Sequence, residues 1–475
     1  MYQLITFGAA GVAVLLVLLL TKSGSAARTN TLKIMSLAFC AIGFVRQWLA
    51  DSIYLVINNS SYEGVVYDAQ DPLQMILRWG YFAAYTVIPL AIFTKSRTIR
   101  NIAGYVVLPF AILSAVFFDD FMVYFTDPRA NGIMMPEGPR AAYFALELAL
   151  AISLPILIHI SERHVLRVKS RTEWLNLLFG TVGVAIAVVP SYLPQSFISY
   201  ILQIPPMFGG YHLAWMGVIL VIVIALYHLF RFRPYEERYA LCLFLAVALF
   251  FHYNSLYLMG VTLKRLPFQL CNIAAYFFLF ATVFKMKRFF HFCFIANTVG
   301  TLFAIIGPDF GYGMSSFWNV HFLYEHTFVL ILPALLAGLR IFPRVNIKSL
   351  KPLLIGFTAY FMFCFILGTI LNGYADVTGE TVNYFYMFDL ETAFDYFPFL
   401  TFTEDYFFTI GRFTVYPIVV SIVYVGFFSL CLLFYLFVRV LYKFEDDHLA
   451  LRLSGIELYE KITGKTSRRP KHFVD

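Results

Sequence analysis

The chain has 475 residues, of which 60% are hydrophobic and only 13% charged, against roughly 25% charged in soluble domains. Its mean hydropathy of +0.75 and 19% aromatic content exclude disorder, collagen, coiled coil and a nucleic-acid-binding domain. A soluble fold cannot hide so much apolar surface, and the net charge of +7 says less than where the charges lie.

A bilayer core takes about 20 apolar residues per helix. At that window thirteen spans are predicted, over 4–20, 33–58, 73–94, 99–118, 139–160, 173–195, 212–231, 238–261, 267–284, 289–307, 320–342, 350–373 and 411–441. The expected fold is an all-α polytopic membrane protein. The first apolar run lacks a basic flank and a small-residue cleavage site, so it reads as a retained helix rather than a signal peptide. The loop 374–410 is dense in aromatics, which suits an interfacial cap or re-entrant segment. A polar tail at 442–475 ends the chain and carries Arg468-Arg469-Pro470-Lys471, suited to anionic headgroups.

Alternating the loops sorts the 35 Lys and Arg sharply. Arg78, Arg129, Arg140, Lys264, Arg265 and Arg412 fall to one side, Arg46 falls within a span, and all others fall to the opposite side. The positive-inside rule then places the N terminus outside and the basic C terminus in the cytoplasm, in the cell membrane. All six cysteines lie in apolar stretches without CxxC or Cys/His metal spacing, so they read as reduced thiols. No metal, no cofactor and no nucleic-acid partner is expected. Composition does not set the oligomeric state.

Short motifs recur in order. Ser52-Ile53-Tyr54-Leu55 matches Ser255-Leu256-Tyr257-Leu258, and Ala83-Ala84-Tyr85 matches Ala274-Ala275-Tyr276. Phe144, Glu147 and Pro155 match Phe322, Glu325 and Pro333 at one spacing. The reading is one extra helix and its basic loop (1–32), then two parallel six-helix halves, 33–232 and 233–441, before the cytoplasmic tail. Chance recurrence in so biased a composition is the plainer alternative.

Ionisable groups at membrane depth are costly and point to function. They are Arg46, Asp51, Glu147, His252, His321, Glu325 and His326, with Cys271 as a reactive thiol. Cys271 and His326 are predicted at similar depths and form a candidate nucleophile and base. Against this, a membrane cysteine most often packs and a bundle histidine most often bonds a neighbouring helix. His321 and Glu325, four residues apart, face the same way. Arg46 and Asp51 do not share a face, and Glu147 is one candidate partner for Arg46. Walker A, GxGxxG, HExxH and GxSxG motifs are absent from the sequence.

Several motifs appear in fixed order over roughly 240–441. They are Leu266-Pro267-Phe268-Gln269-Leu270-Cys271, Gly300-Thr301-Leu302-Phe303-Ala304 leading to Pro308-Asp309, and Phe322-Leu323-Tyr324-Glu325-His326. Leu371-Asn372 and Asn383-Tyr384-Phe385-Tyr386 follow. This set resembles the YwaF family of integral membrane proteins, whose animal relatives act as acyltransferases moving fatty acyl chains between phospholipids. The family usually carries His where this chain has Gln269. The first half looks like a degenerate copy without the Cys and His, a scaffold.

The resemblance implies Cys271 as acyl-accepting nucleophile and His326 as general base, and Asn372, Asn383 and Tyr384 match its motifs. These three, with His252 and His321 from the polar residues at membrane depth, are the candidate substrate contacts. Membrane lipids would be both solvent and substrate. Two other classes stay open: a transporter or lipid flippase built on parallel repeats, and a non-catalytic membrane scaffold. A carrier calls for midplane polar residues from both halves, whereas the ones found here concentrate toward the outer side of the second half.

Overall fold

The computed structural model describes residues 1–49, 72–125, 137–161, 170–191, 203–259, 262–308, 310–388 and 398–463, with 168, 193, 194, 201 and 390. Nearly all of it is helix. In chain order the helices are α1 (Tyr2–Leu20), α2 (Ala26–Leu49), α3 (Pro72–Phe93), α4 (Arg97–Val116), α5 (Phe118–Phe125), α6 (Glu137–Ser161) and α7 (Arg171–Ala187). Then come α8 (Gly210–Phe230), α9 (Tyr235–Asn254), α10 (Leu270–Phe284), α11 (Lys287–Ile306), α12 (Phe317–Gly338), α13 (Leu350–Gly373) and α14 (Pro417–Thr463). Two three-residue strands, β1 (Phe408–Ile410) and β2 (Phe413–Val415), pair antiparallel across Gly411 and Arg412. Gly411 has φ +61°, as a tight hairpin turn requires.

Among the described residues, ten helical segments are long and apolar enough to cross a bilayer. This is a multi-pass membrane protein. Three predicted spans coincide with helices that fall short of that description. Helix α2 carries Arg28, Lys33 and Arg46 over its 24 residues, α7 has 17 residues, and α10 has 15. Asp51 lies outside the described residues, as does the side chain of Arg46, so a pairing of Arg46 with Glu147 lies outside them too.

Local chemistry explains where the helices begin and bend. Ser170 caps α7 by accepting from Glu173 N at 3.2 Å, and the Glu173 carboxylate accepts from Ser170 N at 3.3 Å, a reciprocal box. Ser96 caps α4, and the Glu237 carboxylate accepts from both Ser96 Oγ (2.8 Å) and Arg97 N (3.2 Å). Within α4, Ala103–Val107 widens into a π turn just before Pro109, which has no N–H to continue the regular ladder. Pro89, Pro155 and Pro333 lie inside α3, α6 and α12, where each removes one N–H from the helical ladder.

The chain forms two compact units that interleave along the sequence. The first comprises Met1–Trp215, Tyr235–Val261 and Asp309–Glu325. It is built around α3, which touches α2, α4, α5, α6 and α9, while α1 lies along α6. The second comprises Met216–Pro234, Thr262–Pro308 and His326–Asp475. It is built around α11, which packs on α10, α13 and α14. In this unit Arg344 binds Glu445 at 2.9 Å and Asp446 at 2.6 Å on α14, and the Tyr227 hydroxyl donates to Glu445.

Candidate functional site

Cys271, His326, Asn372, Asn383 and Tyr384 all belong to the second unit, and His252 and His321 to the first. Cys271 stands in the first turn of α10 and is partly exposed, whereas Cys242, Cys293, Cys364 and Cys431 are buried. Its thiol donates to Asn272 Oδ1 at 3.0 Å.

The residues leading into that turn are fixed from three directions. The helix starts at Leu270 rather than at 267: Gln269 is its extended N-cap, Phe268 N closes a turn onto Leu266 O at 2.8 Å, and Phe268 O and the Gln269 side chain bond elsewhere. Phe268 O accepts from Tyr360 Oη at 2.8 Å and from Cys364 Sγ at 3.4 Å, both on α13. From α11, Asn297 Nδ2 donates to Leu270 O. Helix α11 approaches so closely at Gly300 that a Cβ there would stand 2.8 Å from Leu270 Cβ, nearer than side-chain carbons pack.

The third direction is the loop after α13. Gln269 Nε2 donates to Asn383 O at 2.8 Å, and the Tyr384 ring meets the Phe268 ring edge-to-face, with centroids 5.9 Å apart. Asn383 Oδ1 accepts from Phe388 N at 3.1 Å and closes the turn between them. Inside that turn Phe385 and Tyr386 have φ of +55° and +59°. Such a backbone costs bulky residues on the order of 1–3 kcal/mol each and persists only where the surroundings enforce it. Val382, Tyr384, Phe385 and Met387 are buried, which supplies the enforcement. The predicted cap over 374–410 is thus a packed aromatic turn followed by the hairpin, whose Phe413 sits against Gly373. Residues 391–397 of that predicted cap lie outside the described residues.

His326 is only 4% exposed in α12. One residue before it, Glu325 Oε2 lies 3.5 Å from His321 Nε2, so the predicted one-face pair forms. His321 also stacks on Phe317 with centroids 5.5 Å apart. His252 is tied to a helix end: its Nε2 and Ala187 O are 2.8 Å apart at the C terminus of α7. Tyr324 stacks on His252 at 4.4 Å and donates to Ile186 O at 2.9 Å. His252 and Tyr324 therefore bond carbonyls of the last turn of α7, that of Ile186 also accepting from Val189 N at 3.4 Å. Thr86, Ser255 and His252 help line a cavity of about 10 Å³ in the first unit, enough for about one water and far too small for a lipid.

Several residues of the site had no single-sequence signal. Asn297, Tyr360 and Cys364 look like ordinary span residues in the sequence. Among the described residues, no cluster of His, Cys, Asp and Glu suits a metal ion.

The supports of the Cys271 turn bring together the motifs at Leu266–Cys271 and Asn383–Tyr386. Residues 207–432 match the TMEM164 family. The matched region holds Cys271, His326, Asn372, Asn383 and Tyr384, and leaves most of the first unit uncovered. No curated protein and no solved structure matches the chain.

Proposed function

We propose that the protein is a membrane-embedded acyltransferase, moving a fatty acyl chain between phospholipids or to another lipid acceptor through a thioester on Cys271. The observation that carries this reading is the convergence of α11, α13 and the aromatic turn on the residues flanking one partly exposed thiol. That thiol stands at a helix N terminus, where unpaired amides favour negative charge. The motif resemblance to a family with acyl-transferring animal relatives, and the TMEM164 match over the same stretch, support the same residues.

In the first step His326 takes the thiol proton while the Cys271 sulfur attacks an ester carbonyl of the donor. A C–S bond forms, the ester C–O bond breaks, and the lysophospholipid oxygen leaves with the proton from His326. In the second, His326 takes the proton of an acceptor hydroxyl whose oxygen attacks the thioester. A C–O bond forms, the C–S bond breaks, and Cys271 recovers the proton. Both lipids arrive laterally from the bilayer. The first half acts as scaffold in the two-repeat organisation, with the N terminus outside and the C terminus in the cytoplasm of a cell membrane.

In vesicles holding the full-length chain, a labelled acyl chain should pass from phospholipid to lysophospholipid with ping-pong kinetics. Cys271→Ala and His326→Ala should each reduce transfer to background, and Cys431→Ala should leave it intact. Undiminished transfer by Cys271→Ala overturns the proposal. A carrier draws support from Arg78 and Glu147, 1% and 0% exposed within apolar helices of the first unit. Lipid flipping that survives loss of both Cys271 and His326 would favour it.

A further inference from the structure

The two side-chain polar atoms of Asn372 are both committed to backbone. Its Nδ2 donates to Val382 O at 2.9 Å and its Oδ1 accepts from Val382 N at 2.8 Å. The two bonds hold the amide plane against the Val382 backbone, using one of the two donors on Nδ2 and one of the two lone pairs on Oδ1, although Asn372 sits in one of the ordered motifs. It completes the pairing that a neighbouring strand would otherwise supply to Val382. The next residue, Asn383, opens the turn in which Phe385 and Tyr386 hold left-handed backbone. Strain of that kind needs an anchor on either side. Asn372 anchors the entrance, and the Asn383 Oδ1 contact with Phe388 N closes the exit.

The anchored turn reaches the thiol by two contacts. Asn383 O receives Gln269 Nε2, and Tyr384 abuts Phe268. Gln269 is the N-cap of α10, two residues before Cys271, and its φ of −72° and ψ of 150° set the direction in which the helix departs. Behind Tyr384, Phe385 packs against Phe361 of α13 with centroids 5.0 Å apart, so the turn cannot recede. On the acyltransferase reading we propose that Asn372 is a positioning residue, acting through Val382, Asn383 and Gln269 to fix where the Cys271 sulfur points. Asn372 and Asn383 then shape the site without touching the lipid.

The test reads the thiol directly. Full-length protein in vesicles is treated with N-ethylmaleimide, and alkylation of Cys271 is followed by mass spectrometry against Cys40, the other partly exposed cysteine. Asn372→Ala should change the Cys271 to Cys40 rate ratio on the order of tenfold, since a displacement of about 1 Å has effects of that size or larger. Gln269→Leu should move the ratio the same way, and the double variant no further, because both act along one chain of contacts. Asn372→Asp keeps the acceptor for Val382 N and should fall between wild type and Asn372→Ala. It also serves, with Gln269→Leu, if the alanine variant does not fold.

A ratio within twofold of wild type in the folded variants overturns the proposal. Alkylation does not depend on acyl transfer. A wild-type protein that never forms a thioester, yet shows the ratio change, defeats the enzymatic reading alone. Thioester formation with an unmoved ratio defeats the positioning role alone.

Discussion

Gly300 of α11 stands against Leu270 in the turn that carries Cys271: a Cβ on Gly300 would lie 2.8 Å from Leu270 Cβ. Neither helix can yield easily there, because Asn297 is bonded to Leu270 O one turn away on α11. Gly300→Ala should therefore lower stability by about 1–3 kcal/mol through overpacking. Thermal unfolding in detergent measures it. In a Leu270→Gly background, which removes that Cβ, Gly300→Ala should cost much less, and simple additivity of the two substitutions would contradict the packing account.

His252 and Tyr324 form one support for the end of α7. Tyr324→Phe removes the hydrogen bond to Ile186 O and should cost about 1 kcal/mol. His252→Ala should cost more, because the stack on Tyr324 at 4.4 Å goes with it. Stability should fall in both, while acylation of Cys271 in the folded fraction should persist. Selective loss of acylation at unchanged stability would make His252 a substrate contact instead.

Arg344 joins α14 to the second unit through Glu445 and Asp446, and its guanidinium lies 4.7 Å from the Tyr442 ring centroid. The carboxylates are half-exposed, so the network is screened and worth about 1 kcal/mol. Arg344→Ala should lower the melting temperature at low salt by more than at high salt. Arg344→Lys should fall between, keeping the charge but not the two-pronged geometry.

The orientation has its own test. An epitope placed after Asp475 should be protected from added protease in intact cells and digested after permeabilisation. One placed before Met1 should be digested in both. The reverse pattern would contradict the assignment from Lys and Arg distribution.

What could be read from sequence was local. Apolar length located ten of the thirteen predicted spans among the described residues, since a stretch such as Tyr2–Leu20 announces itself by composition alone. The four-residue spacing of His321 and Glu325 was enough to place them together. Helix α7 ends at Ala187, short of the predicted 195, where Val188 leaves helical backbone two residues before Pro190, and α10 starts late because Phe268 O and the Gln269 side chain bond elsewhere. The supports of the Cys271 turn were illegible for a different reason. Tyr360 reaches Phe268 across 92 residues, Gln269 reaches Asn383 across 114, and Asn297 reaches Leu270 across 27. No spacing rule spans such distances. Asn372 and Val382 are nearer, ten residues apart, but meet through an irregular turn with no period to read.

The central claim concerns one covalent bond, between an acyl carbon and Cys271. Full-length protein incubated with phospholipid vesicles, then digested and analysed by mass spectrometry, should show a fatty acyl adduct on the Cys271 peptide. That adduct should be released by neutral hydroxylamine and transferred when lysophospholipid is added. It should be missing in Cys271→Ala and strongly reduced in His326→Ala. Lipid remodelling by the wild-type chain with Cys271 unmodified throughout turnover would contradict the account.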